Sequence, residues 1–382
     1  MGGRRAALVA AAVSTAVALG GAAVAVREAP EPAGTSSSPA VTTPVADRGG
    51  ERPDPADLPR LGVQFHGTWT HYTRRERAVV LDRIERSGAT WVRLDVGWSM
   101  LQPKRGSYDR EWGVKRVDGV MDQLRRRGLK VLVMFWLTPD WATREDDPVL
   151  AQYTPPDRTR DYTEALGWAA RRWGDVVDAW EIWNEPNLES FFIGTDPAAY
   201  TRILCRAYPV VRRNDPGARV VFGGLMYNDD AWLERAYDAG VGGCFDVMAV
   251  HSYQAPADAP PGAADDGEVW SLAHLDAVRA TMREHGDRLP VWITEFGWSV
   301  HGNETDTEPW RRGVTRKQQA AYGAQALKIM ARDFPYVTAA FWYKDAAVAS
   351  STDEHQEGYA LLDERLRPRP VLRRFGKLYG EG

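Results

Sequence analysis

The feature that most constrains the fold of this chain is a regular alternation of strand-like and helix-like segments between residues 59 and 382. Eight short apolar segments suit buried strands, and the longer segments between them carry helical spacing of apolar residues. This alternation predicts an α/β fold in which parallel strands are joined by crossover helices, and eight repeats predict a closed (β/α)8 TIM barrel. The predicted strands are 61–67, 90–96, 129–137, 176–183, 218–223, 245–250, 290–295 and 336–343.

The predicted helices lie at 74–87, 157–173, 196–213, 230–239, 272–285 and 315–332, with one more inside 109–127. A barrel of this kind typically uses about 250 residues or more, and residues 59–382 are enough for it. The chain has 382 residues, 44% of them hydrophobic, and a net charge of −4. This mild charge balance gives no reason to expect a nucleic-acid partner, because proteins that bind nucleic acid carry clustered basic charge.

The first 58 residues are predicted to lie outside the barrel. Residues 1–26 begin with a short basic stretch, continue with an almost wholly apolar run, and contain a small-x-small site at Ala23-Val24-Ala25. This pattern predicts a secretory signal peptide, with an uncleaved membrane anchor as the alternative. Residues 27–58 are rich in Pro, Ser, Thr and Ala without periodicity and predict a disordered linker. We therefore expect a secreted or cell-surface protein that contacts the membrane only through an uncleaved anchor.

The chain has two cysteines, Cys205 and Cys244. An even count in an exported protein favours one disulfide, although two buried thiols remain the alternative at this point.

Two of the predicted strands end at a glutamate or just before one. Glu185 closes the first in the stretch Trp-Glu-Ile-Trp-Asn-Glu-Pro-Asn, and Pro186 stops the strand there. Glu295 closes the second in Val-Trp-Ile-Thr-Glu-Phe-Gly-Trp, about 110 residues later. Both glutamates lie among tryptophans, which stack on sugar rings. One strand-end glutamate alone would usually be a solvated surface residue, but a pair in one barrel is what double-displacement hydrolysis of a glycoside requires.

The active sites of TIM barrels lie at the carboxyl ends of the strands, which selects candidate residues directly. Glu185 is predicted to be the general acid/base and Glu295 the nucleophile. The candidates for binding substrate are polar or aromatic residues at other strand ends: His66, Arg93, Trp136, Asn184, His251, Tyr253, Trp298 and Trp342.

The two glutamate motifs resemble clan A of the glycoside hydrolases. The first resembles the acid/base signature of that clan, whose Asn-Glu pair ends barrel strand 4, and the second resembles its nucleophile strand 7. The residues of the first motif most resemble those of glycoside hydrolase family 39, the β-xylosidase and α-iduronidase family. That family usually has a tryptophan and a phenylalanine upstream, where this chain has Asp178 and Trp180. Cellulase-like barrels of family 5 are the second candidate.

The resemblance implies roles for four further residues. Arg93 would keep the nucleophile ionised, and Asn184 would bond the 2-hydroxyl group of the sugar. The segment His251-Ser252-Tyr253 resembles the strand 6 His-x-Tyr arrangement of family 5, so the Tyr253 hydroxyl would bond the nucleophile. Trp342 would form the floor of the central sugar subsite.

These observations predict a retaining hydrolase of β-linked oligo- or polysaccharides that acts as a monomer without cofactor or bound metal. Two other classes stay open. A barrel that only binds carbohydrate would fail to turn over an activated aryl glycoside, and a metal-assisted hydrolase would lose activity in a chelator.

Overall fold

The structure, a computed structural model, describes residues 55–304 and 307–380. The predicted signal segment, residues 1–26, and most of the predicted linker lie outside the described residues. The end of that linker does not match the prediction, because residues 55–57 form a short 3-10 helix and Leu58 packs into the core. Within the described part, no helix combines the length and the apolar character that crossing a membrane requires.

One parallel sheet runs through the centre of the described chain. Its strands are β1 (Arg60–Gln64), β2 (Trp91–Gly97), β3 (Lys130–Trp136), β4 (Ala179–Ile182), β5 (Arg219–Phe222), β6 (Leu225–Met226), β7 (Met248–His251), β8 (Val291–Phe296) and β9 (Val337–Trp342). The strand order is β5-β4-β3-β2-β1-β9-β8-β7-β6.

The sheet closes on itself through β5 and β6, which are two halves of one barrel strand. Only Gly223 and Gly224 separate them in sequence, and the first half pairs with β4 while the second pairs with β7. A parallel bridge between Val221 and Val247 also joins β5 directly to the segment leading into β7. The nine strands therefore form eight barrel strands, which confirms the predicted (β/α)8 barrel.

The helices surround the barrel, and several begin at capping residues that the sequence supplies. Thr73 and Glu76 form a capping box at the first long helix, and Thr315 and Gln318 form another. The helices are α1 (Arg74–Glu85), α2 (Trp98–Leu101), α3 (Gly113–Arg127), α4 (Pro148–Tyr153), α5 (Thr159–Trp173), α6 (Pro197–Asn214), α7 (Asp230–Asp238), α8 (Leu275–Glu284), α9 (Arg316–Asp333), α10 (Glu354–Gly358) and α11 (Pro370–Tyr379).

Two hydrophobic clusters lie on the two sides of the sheet. The larger one fills the space between the strands and the helices. The smaller one closes the barrel interior below the polar strand ends, and consists of Trp91, Leu132, Ala179, Val221, Val247, Ala249, Trp292, Ala339 and Phe341. Because side chains alternate along each strand, the next inward positions beyond this smaller cluster, towards the carboxyl ends of the strands, are the ones available for chemistry.

A disulfide joins Cys205 on α6 to Cys244, which lies just before β7. The predicted bridge is therefore confirmed, and the alternative of two buried thiols is excluded.

Candidate active site

A buried guanidinium lies at the centre of the polar strand ends. Arg93 on β2 is fully buried and donates through Nε to Glu181 at 2.5 Å and through Nη1 to Glu295 at 2.5 Å. Its Nη2 donates to Oδ1 of Asn184 at 2.8 Å. Gln64 on β1 accepts a further bond from Nη1 at 3.0 Å. One cation thus neutralises two buried carboxylates and fixes an amide between them.

The end of β4 departs from regular strand geometry, and this brings two adjacent residues into the barrel. Trp183 has φ +73° and Glu185 has φ +43°, a left-handed conformation that non-glycine residues seldom adopt. The Trp183 indole points outward and donates to the carbonyl of Phe191 at 2.7 Å. Asn184 and Glu185 both contact residues of the barrel interior. Strained backbone of this kind is concentrated at functional sites.

His251 at the end of β7 supports the acid/base candidate. Its Nδ1 lies 2.5 Å from Oε1 of Glu185. The ring has room for this because Gly224 lies beneath it, where a Cβ would come within 2.2 Å of Nε2. Glu185 is also held by its backbone, since its N–H donates to the carbonyl of Gly224 at 3.1 Å. A side chain at position 224 would therefore displace the histidine from Glu185.

The nucleophile candidate has partners on both carboxylate oxygens. Oε1 of Glu295 accepts from Arg93, and Oε2 accepts from the hydroxyl of Tyr253 at 2.8 Å. One carboxylate oxygen of Glu185 and one of Glu295 lie within 4.8 Å of each other, with a nitrogen of His251 in the same group. The two strand-end carboxyls therefore face one another across a small gap.

The surroundings shift the pKa values of the two glutamates in opposite directions. Burial raises the pKa of Glu185, and the nearby charge of Glu295 adds to this, although its contact with His251 acts the other way. Burial by itself would also raise the pKa of Glu295. There, however, His251, Arg93 and the hydroxyl of Tyr253 outweigh burial, and the pKa of Glu295 is lowered. The site therefore favours one protonated and one ionised carboxyl.

Two of the predicted binding residues do not face this site. Trp342 is fully buried on the outer side of β9, with its ring 5.3 Å from that of Phe296 and 5.2 Å from that of Phe375. Its indole N–H donates to the carbonyl of Tyr359 at 2.9 Å. The prediction that Trp342 forms the sugar-binding floor is wrong, because Phe341 takes the inward position and adjacent strand residues face opposite sides.

Trp298 is also buried outside the barrel. Its ring lies 5.7 Å from that of Tyr322 on α9, and its N–H donates to the carbonyl of Ala259. The same alternation, shifted by an irregular register near the end of β8, turns it away from the cleft. Its predicted substrate contact is therefore wrong as well.

His66 and Trp136 lie at strand ends but outside the group around Arg93. His66 is held by Asp345, which accepts from its backbone N–H at 3.0 Å and contacts its Nδ1 at 2.9 Å. Trp136 packs against the rings of Tyr153 and Phe191. Its indole N–H is buried and has no partner among the residues that the structure describes.

Sequence reasoning missed Tyr343, which occupies the position predicted for Trp342. Tyr343 is half-buried, and its ring lies 5.8 Å from that of His66 and 5.8 Å from that of Tyr359. Burial raises its pKa, the charge of Glu295 is the next contributor, and its hydroxyl donates to Oε1 of Gln356 at 3.2 Å. The alternation of Ala339, Phe341 and Tyr343 along the inner face was the signal that could have identified it.

Glu185, His251 and Glu295 also form a set whose ligand atoms could hold a cation. Both oxygens of Glu295 and Nδ1 of His251 already have partners, and the Arg93 guanidinium is bonded to Glu295. The positive charge that a metal would supply is thus provided by the protein. The donor set fits an acid/base pair better than a cation site.

A (β/α)8 barrel with two strand-end glutamates and a strand 2 arginine belongs to the architecture of the clan A glycoside hydrolases, and the comparisons with known proteins agree. The family model described as Cellulase (glycosyl hydrolase family 5) matches residues 56–345. The chain belongs to this family. The clan predicted from the two motifs is confirmed, and of the two families considered, the matching model is that of family 5 rather than family 39.

Relatives and solved structures extend this result. The chain is 24% identical over 288 residues to a beta-xylosidase of Caldicellulosiruptor saccharolyticus, covering 69% of this chain and 56% of that protein. It is 29% identical over 197 residues to the endoglucanase CelA of Streptomyces lividans, covering 48% of this chain and 35% of that protein. The chain spans between 20% and 59% of the length of the curated relatives it matches.

Two solved structures illustrate the shared fold. A family 39 glycoside hydrolase from Bacteroides cellulosilyticus has a TM-score of 0.62 at 22% identity, covering 85% of this chain and 64% of that one. A GH5_18 protein from Streptomyces cattleya, in complex with GlcNAc, has a TM-score of 0.63 at 20% identity, covering 84% and 79%.

Proposed function

We propose that this protein hydrolyses β-linked oligo- or polysaccharides with retention, by double displacement through a glycosyl-enzyme intermediate. The observation that carries the proposal is the pair of facing glutamates, whose nearest oxygens lie within 4.8 Å and whose pKa values are shifted apart. Retaining glycosidases hold their carboxyl groups about 5–5.5 Å apart, whereas inverting ones leave about 6.5–9.5 Å for a water molecule. The short gap therefore supports retention.

Glu295 is suited to attack the anomeric carbon. Its ionised form is stabilised by the guanidinium of Arg93 and by the hydroxyl of Tyr253, so it is available as a nucleophile at neutral pH. Arg93 is itself fixed by Glu181, whose other oxygen accepts from Gly224 N–H and the Thr294 hydroxyl, each at 3.0 Å. These bonds leave Arg93 little freedom to move away from the nucleophile.

Glu185 is suited to protonate the leaving oxygen and later to take a proton from water. Its raised pKa favours the protonated form that the first step requires. When Glu295 forms the ester with the sugar, its negative charge disappears, and one cause of the raised pKa of Glu185 disappears with it. Glu185, which has given its proton to the leaving oxygen, then stays ionised more readily and can accept a proton from the attacking water.

Asn184 is placed to hold the sugar. Its Oδ1 is occupied by Arg93, but its amide NH2 has no partner within residues 55–304 and 307–380. The amide can therefore donate to a hydroxyl group of the bound ring next to the reacting carbon. Such a bond strengthens in the transition state and supports catalysis rather than binding alone.

The sugar and its linkage belong to the proposal as well. The relatives are named as beta-xylosidase, endoglucanase, beta-glucosidase and putative mannan endo-1,4-beta-mannosidase, and three of these four names state a β linkage. We propose a β-linked pyranoside with equatorial leaving group as the substrate class.

Replacement of each glutamate by alanine tests the roles. Glu295→Ala should abolish turnover of an activated aryl β-glycoside, and added azide should restore it with an α-linked azide product. Glu185→Ala should be restored by azide through a β-linked product, because the nucleophile is intact and azide attacks the intermediate. The opposite pair of products would reverse the two roles. Normal turnover by both variants would contradict the proposed function.

The same experiments separate the two other classes. A barrel that only binds carbohydrate would bind oligosaccharides without releasing sugar. A metal-assisted hydrolase would be inhibited by a chelator in the wild type and would not show azide products.

Export is a further proposal. It is supported by the composition of residues 1–26 and by the disulfide between Cys205 and Cys244, since such bonds persist in oxidising compartments. Mass spectrometry of the secreted protein should find an N-terminus near Ala25. An intact N-terminus in the membrane fraction would indicate the anchor instead.

A further inference from the structure

A tyrosine with unusual backbone geometry lies beside the acid/base candidate. Tyr227 directly follows β6 and has φ +59°, a left-handed conformation that costs free energy for a residue with a side chain. It is half-buried, and its hydroxyl has no partner in the part of the chain that the structure describes. The contacts within the fold do not account for this hydroxyl.

The backbone around Tyr227 is tied to the turn that carries Glu185. The side chain of Asn187 donates to the carbonyl of Met226 at 3.0 Å and accepts from the N–H of Met226 at 2.8 Å. The N–H of Glu185 donates to Gly224 at 3.1 Å. These three bonds hold the two segments together and fix Tyr227 next to the acid/base turn.

Trp270 provides a second ring at the same place. Its ring lies 6.0 Å from that of Tyr227 with the planes at 74°. The loop that carries it is held by two backbone bonds, Ala255 N–H to Trp270 at 3.1 Å and Asn228 N–H to Val269 at 2.9 Å. The ring is half-buried, and its indole N–H has no partner among the described residues.

The backbone of Tyr227 is bridged to that of His251, whose ring contacts Glu185. Burial and the charge of Glu185 raise the pKa of Tyr227 to about 12. Burial also raises the pKa of Tyr359, and Tyr227 is the next contributor there. Tyr359 in turn packs against Tyr253, which bonds the nucleophile candidate. Tyr227 therefore lies beside the pair formed by Glu185 and His251.

The leaving group of a glycoside must lie on the side of the acid that protonates the bridging oxygen. We propose that Tyr227 and Trp270 form the subsite for the leaving group, and that this group is itself a pyranose. Two aromatic rings with unpartnered O–H and N–H donors suit a sugar ring, which presents an apolar face and hydroxyl acceptors. This inference rests on the proposed function and specifies which part of the substrate these residues recognise.

The test compares two substrates that share one sugar: an activated aryl β-glycoside and the corresponding β-linked disaccharide. For Tyr227→Phe we expect kcat/KM on the disaccharide to fall about three- to tenfold, the effect of one lost hydrogen bond. Trp270→Ala should cost about tenfold or more on the disaccharide, from lost stacking. Both variants should lose clearly less on the aryl glycoside, because departure of an activated leaving group depends less on its contacts with the subsite. Trp270→Phe should restore part of the loss.

Tyr322→Phe is the matched control, because Tyr322 lies on α9 in the outer layer, against Trp298. It should affect the two substrates equally. Transfer of the glycosyl group to an added sugar acceptor gives a second readout, since an acceptor binds where the leaving group was. Tyr227→Phe and Trp270→Ala should lower the ratio of transfer to hydrolysis.

Equal losses of kcat/KM on both substrates, with an unchanged ratio of transfer to hydrolysis, would overturn the proposed subsite even if the wild-type enzyme is fully active. A wild-type protein that turns over neither substrate would instead count against the proposed function. Thermal unfolding of each variant identifies one that fails to fold, and in that case Tyr227→Phe, the smallest change, decides.

Discussion

At the scale of single residues, the account depends on two carboxyl groups that have the same chemistry but different neighbours. Glu295 has a guanidinium and a phenol within hydrogen-bond distance, whereas Glu185 has only the histidine ring. Both are buried, and burial alone would favour the protonated form of each. The division into acid and nucleophile therefore arises from His251, Arg93 and Tyr253 around Glu295 rather than from the glutamates themselves.

The opposite shifts predict a bell-shaped dependence of kcat/KM on pH. Activity should be lost on the acid side as Glu295 is protonated, and because its pKa is lowered this loss lies below the usual range of a glutamate. Activity should be lost on the alkaline side as Glu185 ionises, and because its pKa is raised this loss lies above that range. Initial rates on an aryl glycoside across pH measure both limbs.

The variant Glu185→Gln is the control for this profile. It cannot ionise at position 185, so the alkaline limb should disappear while the acid limb remains. An alkaline limb that persists in the variant would assign it to another group and contradict the role given to Glu185.

At the scale of strands and helices, alternation decides which side chains reach the cleft. On β9 the inward residues are Ala339 and Phe341, followed by Tyr343, whereas Trp342 packs outward against Phe375 of α11. Adjacent residues of one strand therefore have unrelated tasks. The aromatic segment Phe341-Trp342-Tyr343 contains inward-facing and outward-facing residues, and only their position relative to the inner face of the barrel distinguishes them.

This difference predicts opposite outcomes for two neighbouring substitutions. Trp342→Ala should lower the free energy of unfolding by about 3–5 kcal/mol, because it leaves a large cavity and an unpaired carbonyl at Tyr359. Tyr343→Ala should change stability less but reduce kcat/KM by about tenfold or more, through lost contact with the sugar. Urea unfolding and initial rates measure the two effects.

Tyr343→Phe is the matched variant for the second effect and should retain most of the activity if the ring itself binds the sugar. A Trp342→Ala protein with unchanged stability and reduced kcat/KM would contradict this prediction and indicate that Trp342 contacts the substrate.

The sequence was sufficient for the order of the elements, because period-2 and helical patterns, together with caps such as Thr73 and Thr315, are local signals. It was also sufficient for the strand-end glutamates, Arg93 and Tyr253 as candidates. The side of the sheet on which the Trp342 and Trp298 side chains lie was not predictable in the same way. It depends on register irregularities along β8 and on which neighbours fill the barrel interior, and both are set by tertiary contacts.

The left-handed backbone at Trp183, Glu185 and Tyr227 was likewise beyond sequence patterns, because none of these residues is a glycine. Tertiary contacts hold these conformations, among them the hydrogen bonds of Asn187 to Met226 and of Trp183 to Phe191. Such contacts join segments about 40 residues apart or close a tight turn, and neither appears in local periodicity.

At the scale of the whole molecule, the barrel is closed by pairing and reinforced by one covalent link. The disulfide connects α6 to the entry of β7 and encloses the segment that contains β5, β6 and α7. This segment carries Gly224 and Tyr227, which flank the acid/base turn. The link therefore stabilises the part of the barrel where one strand is interrupted.

Removal of the disulfide should lower stability without altering the chemistry. For the double variant Cys205→Ala and Cys244→Ala we expect the free energy of unfolding to fall by about 2–4 kcal/mol, since the link spans 39 residues. Activity on an aryl glycoside at 25 °C should be close to that of the wild type. Reduction of the wild type should give the same loss of stability, and an unchanged unfolding midpoint in both experiments would contradict the prediction.

The central claim is that Glu295 attacks the sugar and forms a covalent intermediate. Incubation with 2-deoxy-2-fluoro β-glycosides that carry an activated leaving group, followed by proteolysis and mass spectrometry, tests it most directly. The fluorine slows both steps, and the good leaving group lets the intermediate accumulate. We predict a single glycosylated peptide with the label on Glu295. A label on Glu185 would contradict this assignment, and an unlabelled, active enzyme whose first product has the inverted configuration would contradict double displacement.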